Sequence, residues 1–110
     1  MEDLFPETLA PPPVQRWGTP EEIERRRRIR VSVWAYAYEY LAHSFVSDER
    51  FDDECKLINP AVTTGHPKLD RFFSKDFQAY TGQWVHKHPE KAKLAKYTSR
   101  LIQALKQPNP

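Results

Sequence analysis

Residues 19–44 read TPEEIERRRRIRVSVWAYAYEYLAHS, and this stretch decides the fold. Thr19 supplies a side-chain oxygen for free amides, Pro20 suits the first helical position, and Glu21 and Glu22 suit the positive end of a helix. From Pro20 no breaker appears before Ser44, which predicts one long helix over Pro20–Ser44. Ile23, Arg30, Trp34, Ala37, Tyr38, Leu41 and Phe45 fall on one stripe, and Ile29, Val33, Tyr36 and Tyr40 on a second. The second half is apolar around most of its circumference, so the rest of the chain should wrap it.

Downstream, Ser47 reads as another cap, with Asp48 and Glu49 opening a short helix that reaches about Leu57. Asn59-Pro60 ends it, and Thr63-Thr64-Gly65-His66-Pro67 reads as loop. Leu69, Phe72, Phe73, Phe77 and Tyr80 recur at helical spacing with an interruption near Ser74, and Thr81-Gly82 breaks the segment. Pro89-Glu90 starts a last helix with Leu94, Tyr97, Leu101 and Leu105 as its apolar stripe. No alternating strand pattern appears. The expectation is an all-α domain of about four helices, residues 20–106, built on a long-helix/short-helix hairpin. Residues 1–19, with Pro6 and Pro11-Pro12-Pro13, should form an extended arm whose Leu4, Phe5, Leu9, Val14 and Trp17 dock onto the domain; residues 107–110 should be a tail.

The 110-residue length leaves room for one small domain. Lys+Arg number 17 and Asp+Glu 15, a net charge of +2 that excludes a strongly basic nucleic-acid tail or an acidic mimic as the whole story. One cysteine, Cys55, cannot form an internal disulfide, which favours a reducing, cytoplasmic setting. No long apolar run signals a leader or a membrane span. Only 3 glycines are present, so a Gly-rich phosphate cradle is nearly excluded.

The most specific stretch is Tyr36 to Leu57. Closely spaced tyrosines end a helix, a short turn follows, and then comes Val46-Ser47-Asp48-Glu49-Arg50-Phe51-Asp52. Over Ile23–Leu57, about a third of the chain, this resembles the N-terminal helical domain (domain Ia) of bacterial NAD-dependent DNA ligases. In that family the domain folds over the adenylation domain and holds the nicotinamide mononucleotide half of NAD. Carried over, Asp48 and Asp52 match the two family carboxylates, and Phe51 stands where the family has a nucleotide-stacking tyrosine. Tyr38 matches a tyrosine before the turn, and Glu39 occupies the place of a histidine, a reversal of charge. The resemblance implies a non-catalytic module that takes NAD or nicotinamide mononucleotide, or that acts in trans with a ligase adenylation domain in DNA replication or repair. A phage or mobile-element accessory protein would fit such a role. Physically, carboxylates one helical turn apart share a face and could receive a pyridinium cation and ribose hydroxyls, with aromatic faces from Tyr38 and Phe51. The same residues also read as helix cap and core.

Lys68-Leu69-Asp70-Arg71 is similar to the ligase nucleophile motif Lys-x-Asp-Gly, but Arg71 replaces the glycine. It reads as a solvated helix start, and the chain is not expected to seal nicks by itself. Arg25, Arg26, Arg27, Arg28 and Arg30 form the densest charge run, a collar that Glu21, Glu22 and Glu24 could neutralise. With Lys91, Lys93 and Lys96 of the last helix they give a reading of a different class: a small basic helical protein that binds nucleic acid or a host protein. His86 and His88 flank Lys87, but two ligands make no metal site. Cys55 has no evident base and reads as a packed small residue.

Overall fold

The computed structural model describes residues 17–106, so the expected docking of Leu4, Phe5, Leu9 and Val14 and the tail at 107–110 lie outside the described residues. The described residues form four α-helices, α1 (Pro20–Leu41), α2 (Asp48–Lys56), α3 (Pro67–Lys75) and α4 (Lys91–Lys106), with a 3-10 turn at Gln83–Lys87. Among the described residues there is no strand, and the all-α expectation holds. No helix among them is long and apolar enough to cross a membrane.

The start of α1 follows from local chemistry. The Glu22 amide donates to Thr19 Oγ1 at 3.2 Å, and the Thr19 amide donates to Glu22 Oε1 at 3.0 Å, a reciprocal capping box. Its end comes three residues before the expected Ser44. Ala42 adopts a left-handed conformation, φ 52°, and the His43 amide donates back to the Ala37 carbonyl at 3.0 Å. That geometry satisfies the last carbonyls and stops the helix, although no glycine marks it. The chain crosses Ser44–Val46, and Ser47 caps α2 by accepting from the Arg50 amide at 3.1 Å.

The second half of α1 is wrapped as expected: Val31, Ser32, Val33, Trp34 and Ala35 are all buried in succession. The α4 helix and the 3-10 turn pack on α1 and on each other, and α2 packs on α1. Cys55, Ile58, Phe72, Phe73, Trp84, Val85 and Leu94 complete the core. Trp84 lies 5.0 Å from Phe77 and 5.8 Å from Phe73 between ring centres, so the turn seats it in an aromatic cluster. Cys55 is fully buried, and burial, with Asp52 and Glu54 adding, pushes its thiol up to about 12, an inert group.

Two expectations change. His66 is no loop residue: it caps α3, its Nδ1 accepting from the Leu69 amide at 3.4 Å. Asp70 is not part of a solvated helix start. It holds the Thr64 hydroxyl at 2.7 Å and Arg28 Nη1 at 2.9 Å, which ties α3 to α1 across 42 residues of sequence. Burial would raise the Asp70 carboxyl, but the Thr64 hydroxyl and amide, together with Arg28, outweigh it and hold the carboxyl below the usual range.

Candidate functional site

A cavity of about 370 Å³ opens where α1 ends and α2 begins. The last turns of α1 contribute Trp34, Ala35, Tyr38 and Glu39, the crossing supplies Ser44, Phe45 and Val46, and α2 supplies Asp48, Phe51 and Asp52. Tyr80, Thr81 and Gly82, between α3 and the 3-10 turn, and Gln83, the first residue of that turn, form the remaining wall. Gly82 packs close to the floor of this wall: a Cβ at that position would meet Ala35 Cβ at 3.4 Å and Phe51 Cζ at 3.6 Å, ordinary contact distances.

All five residues expected from the Tyr36–Leu57 stretch therefore line one cavity: Tyr38, Glu39, Asp48, Phe51 and Asp52. The sharp stop at Ala42 and the Ser47 cap bring the end of one helix opposite the start of the next. Tyr38 is exposed at the rim, and so is Tyr80, at 59% and 87%, so two aromatic rings at the mouth are free to pack on a bound group. Phe51 and Asp52 are half-buried deeper in. Asp48 occupies the first turn of α2, where a carboxylate also favours the helix end.

Glu39 does not stand alone. His86, on the 3-10 turn, places Nε2 at 2.9 Å from Glu39 Oε1, and its Nδ1 lies 2.7 Å from the Tyr40 hydroxyl. Lys91 Nζ donates to that hydroxyl at 3.3 Å and to the His86 carbonyl at 3.0 Å. One proton arrangement satisfies every member: Lys91 donates to Tyr40, the phenol donates to His86 Nδ1, and Nε2–H donates to Glu39. Tyr40 in turn stacks on Tyr36 with ring centres 4.5 Å apart. Sequence reasoning missed His86, Tyr40 and Lys91 as supports of the site, because 46 and 51 residues separate Tyr40 from its two partners.

The arginines of the run each find a partner within the fold. Arg28 is buried and binds Glu24 Oε2 at 2.8 Å, Asp70 at 2.9 Å and the carbonyls of Asn59 and Val62 at 2.8 and 3.0 Å. Arg27 and Arg30 both reach Glu54, at 3.3 and 2.6 Å. Arg25 donates to the Thr64 carbonyl at 2.9 Å, and Arg26 lies 4.0 Å over the Trp17 ring. The expected pairing of Glu24 with Arg28 is present, but Glu22 serves the cap instead of an arginine. Lys91 is committed to Tyr40 and His86, Lys93 lies 3.6 Å from Glu90, and Lys96 is exposed. Arg25 and Arg28 of the first cluster and Lys93 of the second line a second, mainly apolar groove between α1, α3 and α4. Among the described residues no group of three or more His, Cys, Asp or Glu side chains could hold a metal. His86 faces Glu39, while His88 is buried 5.2 Å from the Phe72 ring.

Comparison with known proteins finds no family model, no curated protein and no solved structure that matches this chain. The chemistry of the cavity is thus the ground for any reading of function. Its walls combine aromatic faces with three carboxylates, a surface that suits a flat, positively charged, hydroxyl-bearing ligand.

Proposed function

We propose that the chain is a non-catalytic relative of the ligase nicotinamide-binding domain, with the cavity between α1 and α2 holding the nicotinamide–ribose end of a nicotinamide nucleotide. One observation carries this reading: the five positions singled out by the resemblance, Tyr38, Glu39, Asp48, Phe51 and Asp52, all line the same cavity. In this arrangement Phe51 and Tyr38 offer ring faces to the pyridinium, and Asp48 and Asp52 accept hydrogen bonds from ribose hydroxyls. The open mouth, with Tyr38 and Tyr80 exposed, leaves the rest of the nucleotide outside, where a ligase adenylation domain acting in replication or repair would meet it.

The test is an NMR titration with NAD and with nicotinamide mononucleotide at millimolar concentration. Amide shifts should localise to Tyr38, Asp48, Phe51 and Asp52. Asp48→Ala combined with Asp52→Ala should weaken binding at least tenfold while the helical circular dichroism is retained. Absence of shifts at these positions would refute the reading.

A further inference from the structure

The charge of the cavity narrows the ligand beyond that reading, on which this inference rests. Three carboxylates line it, Glu39, Asp48 and Asp52, and among the described residues its lining includes no lysine, arginine or histidine. Glu39 is held in place by His86, whose Nε2 lies 2.9 Å from Glu39 Oε1, and His86 itself is outside the cavity lining. The cations at this end of the fold are directed elsewhere. Lys91 is held by the Tyr40 hydroxyl and the His86 carbonyl. Arg50, on α2, lies with its guanidinium 5.8 Å from the Trp34 ring centre and does not line the cavity.

Such a surface attracts a delocalised cation and repels a phosphate on the same molecule. Aromatic walls add to the attraction only while the ring carries its charge, since a ring face favours a cation through its quadrupole. A phosphate dianion held at the mouth is repelled by the three carboxylates of the lining, which acts in the opposite direction. We infer that the cavity selects a phosphate-free aromatic cation, the N-ribosylated nicotinamide cation itself, over its 5′-phosphate and over its neutral reduced form. Glu39 is then the specificity-determining residue. It stands where the resemblance has a histidine, and His86 positions its carboxylate.

The experiment is a set of calorimetric and NMR titrations at fixed ionic strength with three probes: nicotinamide riboside, nicotinamide mononucleotide and dihydronicotinamide riboside. Nicotinamide riboside should bind at least tenfold more tightly than the mononucleotide, and the reduced riboside should bind at least tenfold more weakly than the oxidised one. Glu39→Gln retains an acceptor for His86 and should shrink the riboside-to-mononucleotide ratio at least threefold, with the shifts still centred on Tyr38 and Phe51. Raising the salt should narrow the same ratio. A mononucleotide that binds as tightly as the riboside, or a reduced riboside that matches the oxidised one, would overturn the inference and leave the nicotinamide reading standing. Silence of all three probes at Tyr38, Asp48 and Phe51 would overturn both.

Discussion

Arg28 has only 4% of its surface exposed, yet its guanidinium meets two carboxylates and two backbone carbonyls drawn from α1, α3 and the segment before α3. Removing such a centre leaves the buried Glu24 with only Arg27 at 3.5 Å and the Asn59 amide, and Asp70 with only Thr64, and loss of one partner of a buried ion pair typically costs about 3–5 kcal/mol. Glu54 sits in the opposite situation, because Arg27 and Arg30 both reach it and either can remain when the other is lost. Arg28→Met should therefore destabilise the domain by about 3–5 kcal/mol, and Arg27→Met by about 1 kcal/mol or less. Urea unfolding of the two variants checks this, and equal losses would show that the buried position of Arg28 carries no special weight. Each of the five guanidinium groups of the run has a hydrogen-bond partner within the chain.

The turn between α1 and α2 makes the cavity, and its two ends can be varied separately. Ala42 holds a left-handed conformation that a side chain disfavours by about 1 kcal/mol, so Ala42→Gly should stabilise the domain by about 0.5–1 kcal/mol. Ser47→Ala removes the acceptor for the Arg50 amide and should cost about 1 kcal/mol. Thermal melts read both, and the opposite sign for either would mean the turn is held by its packing alone. These elements also show where the chain is legible. The start of α1 was readable because Thr19, Pro20 and Glu22 act on one another within four residues. Its end was not, because an alanine does the work usually marked by glycine. Thr81-Gly82-Gln83-Trp84 reads as a turn that seats Trp84 in the core, which is where it lies, but the 3-10 geometry of Gln83–Lys87 is not legible because it has no side-chain cap and is too short for a period to show. In the cavity, Tyr38, Glu39, Asp48, Phe51 and Asp52 fall within one short stretch and could be placed by helix spacing. The wall at residues 80–83 and the partner His86 come from beyond α3, and only tertiary packing brings them there.

Acid stability of the molecule as a whole should fall in two stages, set by His88 and then Asp70. Burial lowers His88 to about 4; Glu90 opposes that shift and His66 adds to it. These two are the titratable groups at hand: the Glu90 amide donates to His88 Nδ1 at 3.1 Å, and the Glu90 carboxylate lies 3.7 Å from His66. Arg25, Arg28 and Lys93 line the same groove as His88. In the unfolded chain a histidine titrates near about 6.5. Above that pH the group is neutral in both states and its contribution is complete. Below it the unfolded chain takes up a proton that the native fold refuses, so stability declines by up to about 1.4 kcal/mol per pH unit toward pH 4, about 3 kcal/mol in all. Asp70, whose folded value is depressed, contributes above the unfolded value of about 3.9, and that contribution is lost only as pH falls through the lower folded one. For a small domain whose total stability is about 5–15 kcal/mol, the first stage alone is a large fraction. Urea unfolding at pH 7.5, 5.5 and 4.5 should show it, and His88→Gln, whatever its starting stability, should flatten the slope over this range. A wild-type stability that stays level from pH 7.5 to 4.5 would mean that His88 accepts its proton in the folded state, and the buried contact with Phe72 would then have to open at mildly acidic pH.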